Sequence, residues 1–257
     1  MKINPVSTSH INNRQNTSFK STAELYKGCY ECYNTSGFFW RFDIRSTIQY
    51  LERFYKNTPL VNIISHACAE GQQTFSIKFL LMSMLGKQVD KYKIYGRDFD
   101  AQNILAAKNG VYTISSDEMA RMEQECGLDL YKYITILYED SNGICIKVKD
   151  YIRDQIQFKQ ADILKDDDIP ADNTFLLTDN MWPYLPSNKQ TFLAEKLADT
   201  LSPSSHIKLG EFDISNNIHH LLRNKGFEHT EVFEIMKKPK KSVVGLINPI
   251  DYRLRVT

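Results

Sequence analysis

The segment 60–86 has the pattern of a buried strand, a tight turn and a helix. Its apolar start predicts the strand, and Phe75, Phe79 and Met82 fall on one face of the helix that follows. Between the two, the chain carries small residues and one glycine, Gly71, which let a ligand approach the backbone closely. The N–H groups and dipole of a helix N-terminus attract polar or anionic groups. The segment therefore predicts either a ligand site above the end of the first strand or an ordinary strand-to-helix connection.

Two acidic residues, Asp98 and Asp100, follow the next predicted strand, residues 92–96. An acid at about this distance after a glycine turn is placed to hydrogen-bond the hydroxyls of a ribose. The alternative is that the acid caps the next helix, predicted over 101–108. We assign the ribose role to Asp98 and the capping role to Asp100.

Strands and helices alternate through the rest of the chain, which favours a parallel sheet with helices on both faces. The predicted strands cover residues 60–65, 92–96, 156–159, 174–178 and 206–209, and the predicted helices cover 72–85, 101–108, 187–200 and 214–224. Near the C-terminus, 229–235 and 242–247 predict two antiparallel strands joined by a lysine-rich turn. The predicted fold class is α/β and Rossmann-like, with a mostly parallel twisted sheet, a C-terminal antiparallel hairpin and a short helical segment before it.

Composition divides the chain into three regions. Residues 1–20 are rich in Asn, Ser and Thr and predict a flexible tail, because they have few apolar side chains to bury. Residues 21–57 predict a short N-terminal helical segment, and 58–257 the main domain. Residues 113–155 are too long for a plain crossover and predict a small insertion within that domain.

Several classes of protein are disfavoured by the overall composition. The formal net charge is only +1, which argues against binding nucleic acid through bulk charge. No apolar stretch reaches membrane-spanning length and no signal peptide is evident, so we expect a cytoplasmic protein that does not insert into membranes. Cys29 and Cys32 form a Cys-x-x-Cys pair without further ligands in a suitable pattern, and we predict no metal site.

Residues 67–76, Ala-Cys-Ala-Glu-Gly-Gln-Gln-Thr-Phe-Ser, resemble the A-C-S-T-G-E-E-P-Y-S motif of CheR-type methyltransferases. Those enzymes use S-adenosylmethionine (SAM) to methylate glutamate side chains of chemotaxis receptors. Four further segments resemble the family's motifs in the family's order, at residues 106–112, 156–164, 178–185 and 201–211. Because five matches occur in register, the chain resembles a divergent member of this family.

The resemblance implies a class I methyltransferase fold, SAM as cofactor, and SAM or S-adenosylhomocysteine (SAH) as ligand, with a protein carboxylate or another small acceptor receiving the methyl group. The residues implied to bind the cofactor are Ala67, Cys68, Ala69, Gly71, Gln73, Asp98, Phe99, Asp162, Ile163 and Asn180. Tyr184 is the implied catalytic residue that orients the acceptor or faces the donor methyl group. Arg41 is a second catalytic candidate, as a replacement for an arginine that the family carries elsewhere.

Departures from the family pattern leave other functions open. Gln72 and Gln73 replace the family's paired glutamates, and Asp179 replaces its arginine. These changes are also expected of a degenerate, non-catalytic methyltransferase-fold binding module. An N-methyltransferase is a further alternative, because Asn180 to Tyr184 loosely resembles the N-P-P-Y motif of amino-group methyltransferases.

Overall fold

A computed structural model describes residues 37–39 and 44–240. The helices of this part are α1 (Ile44–Phe54), α2 (Gln72–Leu85), α3 (Ala101–Asn109), α4 (Ser116–Cys126), α5 (Leu130–Tyr133), α6 (Asp150–Arg153), α7 (Ser187–Thr200), α8 (Glu211–Ser215) and α9 (Ile218–Asn224). The strands are β1 (Val61–His66), β2 (Tyr92–Asp98), β3 (Val111–Ile114), β4 (Ile134–Asp140), β5 (Gly143–Val148), β6 (Ile156–Gln160), β7 (Thr174–Leu177), β8 (His206–Lys208), β9 (Glu228–His229) and β10 (Ile235–Lys237).

The central sheet has seven strands in the order β6-β2-β1-β7-β8-β10-β9. The first five are parallel, and β10 runs antiparallel to both β8 and β9. All six residues of β1 are buried, as expected for a central parallel strand covered on both faces. The predicted α/β fold class, with its mostly parallel sheet and antiparallel hairpin, is confirmed.

Two apolar cores cover the two faces of this sheet. Successive residues of a strand point to opposite faces, so Ile63 joins one core with Phe75 and Phe79 of α2. Its neighbour Ile64 joins the other core, with Leu193 and other residues of α7. The carboxyl ends of the parallel strands are therefore held rigidly between two helical layers.

A small antiparallel sheet, ordered β3-β5-β4, separates α3 from β6. Its central strand β5 pairs with both neighbours, and the pairing with β4 shifts register between Ile136 and Tyr138. These strands lie within the predicted insertion at 113–155, apart from the start of β3. The domain boundaries given above stay predictions, and residues 1–20 lie outside the described part of the chain.

The position of the C-terminal hairpin was predicted wrongly. Its strands are Glu228–His229 and Ile235–Lys237, so the segment predicted as the connecting turn begins with strand residues. The reason is burial: Ile235 and Met236 are fully buried against the sheet. The actual turn is closed by Thr230, whose hydroxyl accepts a hydrogen bond from the N–H of Val232 at 3.1 Å. The predicted strand at 242–247 lies outside the described residues.

The helix predicted over 214–224 is divided into α8 and α9. Asn217 has a left-handed backbone with φ of 62°, which interrupts the helical path between them. Asparagine tolerates this conformation better than most residues because its side chain is short and polar.

Candidate functional site

In the turn between β1 and α2, every second residue has a left-handed backbone conformation. Ala67, Ala69 and Gly71 have φ of 59°, 49° and 88°. The N–H groups of Cys68, Ala69 and Gly71 donate within the protein, to the carbonyl of Arg97, to the carboxylate of Asp98 and to the carbonyl of Cys68. Helix α2 starts at Gln72 without a side-chain cap, so its first N–H groups face the same end of the sheet.

Gly71 is required by space as well as by conformation. A Cβ at this position would lie 2.9 Å from the Cβ of Ala107 and 3.1 Å from the ring of Phe158. The turn therefore packs closely against α3 and β6. Cys68 in the same turn is buried, and burial raises the pKa of its thiol well above the usual value. Its sulfur is therefore a neutral packing group.

Asp98, at the end of β2, ties this turn to the neighbouring strand. Its carboxylate accepts hydrogen bonds from the N–H of Ala69 at 2.8 Å, the N–H of Asp100 at 2.9 Å and the amide of Asn103 at 3.2 Å. Burial raises the pKa of Asp98, and the two backbone N–H groups oppose that shift. A carboxylate offers about four acceptor positions, so about one is left for a ligand hydroxyl.

Other predicted residues lie around the ends of β2 and β6. Asp100 caps α3 as predicted, since its side chain accepts from the N–H of Gln102 at 2.8 Å. Asp162, after β6, accepts from the N–H of Leu164 at 3.0 Å. Phe99 is half-buried beside them, and Ile163 is buried in the core on the α7 side. The structure thus brings the residues predicted after these two strands to one edge of the sheet.

Asn180 follows β7 and is locked in place by α8. Its φ is 58°, its N–H donates to Asp213 at 2.7 Å, and its side-chain oxygen accepts from the N–H of Phe212 at 3.0 Å. A Cβ on residue 210 would come within 2.0 Å of that oxygen, so Gly210 is needed for the contact. The amide NH₂ of Asn180 is consequently the group left to meet a ligand.

Asp213 was not predicted from the sequence, yet it organises this loop. Its buried carboxylate accepts from the N–H groups of Asn180, Trp182 and Gly210. Burial raises the pKa of Asp213 to about 7, against the effect of these donors. The available signal was an acid three residues after a glycine at a helix start, which is the position that returns to the helix cap.

Asp179 forms a buried cluster with Lys208 and Gln73. Its carboxylate lies 3.0 Å from the Nζ of Lys208, and the amide of Gln73 donates to its other oxygen. The side chains of Lys208 and Asp179 are 3% and 4% exposed. The cluster joins the ends of β7 and β8 to the first turn of α2. Lys208 was not predicted, although a lysine in an apolar strand is itself a signal.

Of the two predicted catalytic residues, Tyr184 lies within the described part of the chain and Arg41 does not. Tyr184 is half-buried in the turn after Asn180, and its ring centroid lies 6.3 Å from that of Phe212. Arg41 lies outside the described residues, but Phe39 donates its N–H to the hydroxyl of Ser76 on α2 at 3.0 Å. Residues 37–39 therefore lie against the helix that begins at the turn.

The described part of the chain contains neither a candidate metal cluster nor a membrane-spanning helix. No group of three His, Cys, Asp or Glu side chains within 37–39 and 44–240 is arranged to hold a metal ion. No helix in this part of the chain is long and apolar enough to cross a membrane.

Comparison with known proteins gives a match over most of the chain. Residues 34–230 match the family described as CheR methyltransferase, SAM binding domain. A chemotaxis protein methyltransferase of Pseudomonas aeruginosa is 26% identical over 172 residues, covering 66% of this chain and 59% of that protein. A chemotaxis protein methyltransferase of Salmonella typhimurium is 21% identical over 174 residues, covering 67% and 57%.

Solved structures of methyltransferases are similar at lower identity. A TehB-like SAM-dependent methyltransferase from Corynebacterium glutamicum is 11% identical, with a TM-score of 0.39, over 74% of this chain and 87% of that chain. The matched part of this chain spans less than two thirds of the length of either chemotaxis relative.

Proposed function

We propose, since this chain belongs to the CheR methyltransferase SAM-binding domain family, that it transfers a methyl group from SAM to a carboxylate oxygen. The observation that carries the proposal is the unit formed by the Gly71 turn and Asp98. In this unit, a turn of small residues lies beside a buried acid at the carboxyl edge of the sheet. The N–H of Ala69 in the turn donates a hydrogen bond to the acid.

The residues of this edge fit the three parts of the donor. The open N–H groups at the start of α2 suit a carboxylate, and the remaining acceptor position of Asp98 suits a ribose hydroxyl. Asp162 and Phe99 follow the neighbouring strand ends, which supports a role beside the adenine. When bound, SAM supplies an electrophilic methyl group on a sulfonium.

Methyl transfer to a carboxylate is mainly a matter of positioning. The sulfur leaves as a neutral thioether and the acceptor is already anionic near pH 7, so no strong general base is required. The buried thiol of Cys68, with its raised pKa, does not compete as a nucleophile. The chain's own residues therefore orient the two reactants and exclude water.

Asn180 favours an oxygen acceptor over an amine. Its side-chain oxygen already accepts from the N–H of Phe212, so the group it can offer to a substrate is a hydrogen-bond donor. A donor suits a carboxylate, whereas an amine to be methylated needs an acceptor for its N–H bonds. The position of Tyr184, half-buried beside Phe212, supports a role in orienting the acceptor. The catalytic role of Arg41 stays a prediction.

A non-catalytic binding module is the second candidate. It is favoured by the negative charge of Asp179, which stands where the resembling family has arginine. The expectations of a cytoplasmic location, of a protein acceptor and of no nucleic-acid partner stay predictions.

The test uses SAM carrying a tritiated methyl group and glutamate-containing proteins as acceptors. Methyl esters release volatile methanol in base, whereas N-methyl groups are stable, so the treatment identifies the acceptor atom. We expect base-labile label that is reduced by Tyr184→Phe. Base-stable label would support an N-methyltransferase. No label, with SAH binding intact, would support the binding module.

A further inference from the structure

We propose that Asp179, held by Lys208 and Gln73, binds the α-ammonium group of the donor's amino-acid moiety. The inference rests on the proposed function, because it assigns a role within the same donor site. It concerns Asp179, a position at which the resembling family has an arginine.

The first argument is the free-energy cost of burying the ion pair of Asp179 and Lys208. Both side chains are almost completely removed from solvent, with Lys208 at 3% and Asp179 at 4% exposure. A buried ion pair carries a large desolvation penalty and is often no more stabilising than apolar residues of the same volume. Stability alone therefore gives little reason to place an aspartate and a lysine here, at the ends of two central strands.

The second argument is charge complementarity. The amino-acid end of the donor is a zwitterion, with a carboxylate and an ammonium group on the same carbon. The start of α2 is uncapped and electropositive, and it suits the carboxylate. Gln73, the second residue of that helix, donates directly to Asp179. The negative carboxylate of Asp179 is thus linked through the side chain of Gln73 to the positive end of α2. A bound zwitterion needs a positive and a negative group this close together.

The third argument is the arrangement around the carboxylate itself. Lys208 occupies one oxygen of Asp179 at 3.0 Å and Gln73 occupies the other. About two of the four acceptor positions of the carboxylate are then still available to an ammonium group. Lys208 is a positioning residue, because its Nζ lies 3.0 Å from one oxygen of Asp179 and orients the carboxylate.

The experiment compares two ligands that differ only in the part under test. SAH carries the amino-acid moiety, and 5′-methylthioadenosine is the corresponding nucleoside thioether without it. Binding of both is measured by calorimetry for the wild type, Asp179→Asn, Lys208→Met, Lys208→Arg and the double variant Asp179→Asn/Lys208→Met. The double variant leaves no single buried charge behind, so it is the variant most able to fold.

We expect Asp179→Asn and the double variant to lose SAH affinity by about tenfold to a hundredfold, the usual range for a hydrogen bond to a charged group. Lys208→Met should also weaken SAH binding, whereas Lys208→Arg should retain most of the wild-type affinity for SAH. Affinity for 5′-methylthioadenosine should stay within about twofold of wild type throughout, since the nucleoside contacts are unchanged. The matched control is Lys225→Met, which removes a surface ion pair of 2.7 Å with Glu195 and should change neither affinity.

Equal losses for both ligands would overturn the proposal, because they would show that the cluster only supports the fold. Unchanged SAH affinity in a folded double variant would overturn it as well, while leaving the proposed function standing. A wild type that binds neither ligand would remove the proposed function, and this inference with it.

Discussion

At the scale of single residues, the site depends on positions where only one side chain fits. The positions of Gly71 and Asp98 at strand ends could be predicted from sequence because they follow from local spacing, and their roles in binding stay predictions. Lys208, Asp213 and the orientation of Asn180 could not be predicted, because each depends on a partner about thirty residues away in the chain. Such contacts arise only when strand ends are brought together by the sheet.

Replacing Gly71 with alanine should both destabilise the protein and weaken SAH binding. The φ of 88° disfavours any L-residue, and the added Cβ would press on Ala107 and Phe158. We expect a loss of about 3 kcal/mol in the free energy of unfolding, measured in urea.

Gly226→Ala is the matched control for Gly71→Ala. Its φ is 89°, but a Cβ there meets nothing within 4 Å, so only the backbone strain is added. We expect a cost of about 1 kcal/mol and unchanged SAH binding. Equal costs at the two positions would show that close packing of the Gly71 turn is not important.

His206 should make the protein less stable in mild acid. The ring is fully buried among Tyr50, Phe54, Tyr55 and Phe175, and burial lowers its pKa to about 3. The unfolded chain binds a proton at this residue below about pH 6.5, whereas the folded chain does not until about pH 3. Its contribution to stability is therefore complete above pH 6.5 and is lost as the pH falls.

The size of this effect follows from linkage. Between pH 7.5 and 5, His206 should account for a loss of about 2 kcal/mol in the free energy of unfolding. Asp213 acts in the opposite direction, because its raised pKa favours the folded state as the pH falls below about 7. The comparison of wild type with His206→Phe cancels that contribution and isolates the histidine. His220→Gln, at an exposed position, is the control, and a pH dependence unchanged in His206→Phe would refute the assignment.

At the scale of secondary structure, long periodic segments were predicted well and short ones poorly. The bounds of α2 and α7 agree with the predicted helices because α2 is a long, largely apolar segment that ends at Gly86, and α7 begins directly after Pro186. The hairpin was predicted at the wrong place because residues 229–237 contain many side chains that favour strands, whereas the actual strands are only two and three residues long. The residues that pair were decided by burial, because Ile235 lies in one core and Met236 in the other.

The break between α8 and α9 gives a test at this scale. Asn217 is exposed and left-handed, so its side chain contributes little beyond tolerating that conformation. We expect Asn217→Gly to be nearly neutral and Asn217→Leu to lower the free energy of unfolding by about 1 kcal/mol. If both variants unfold at the same urea concentration, the backbone conformation at residue 217 does not limit stability.

At the scale of the whole molecule, the site is a product of the sheet order. The ends of β2, β1 and β7 are adjacent in the sheet, although their residues are distant in sequence. This order brings Asp98, the Gly71 turn and Asn180 to one edge, and the two helical layers fix their spacing. The sequence predicted these residues one at a time, and the parallel sheet explains why they meet.

The central claim is that this edge binds the donor nucleoside through Asp98, and calorimetric titration with SAH tests it most directly. The wild type and Asp100→Ala should bind, because Asp100 only caps α3 and its loss costs about 1 kcal/mol of stability. Asp98→Ala should bind at least about tenfold more weakly. Absence of SAH binding in the wild type, or equal affinities for the two aspartate variants, would contradict the account.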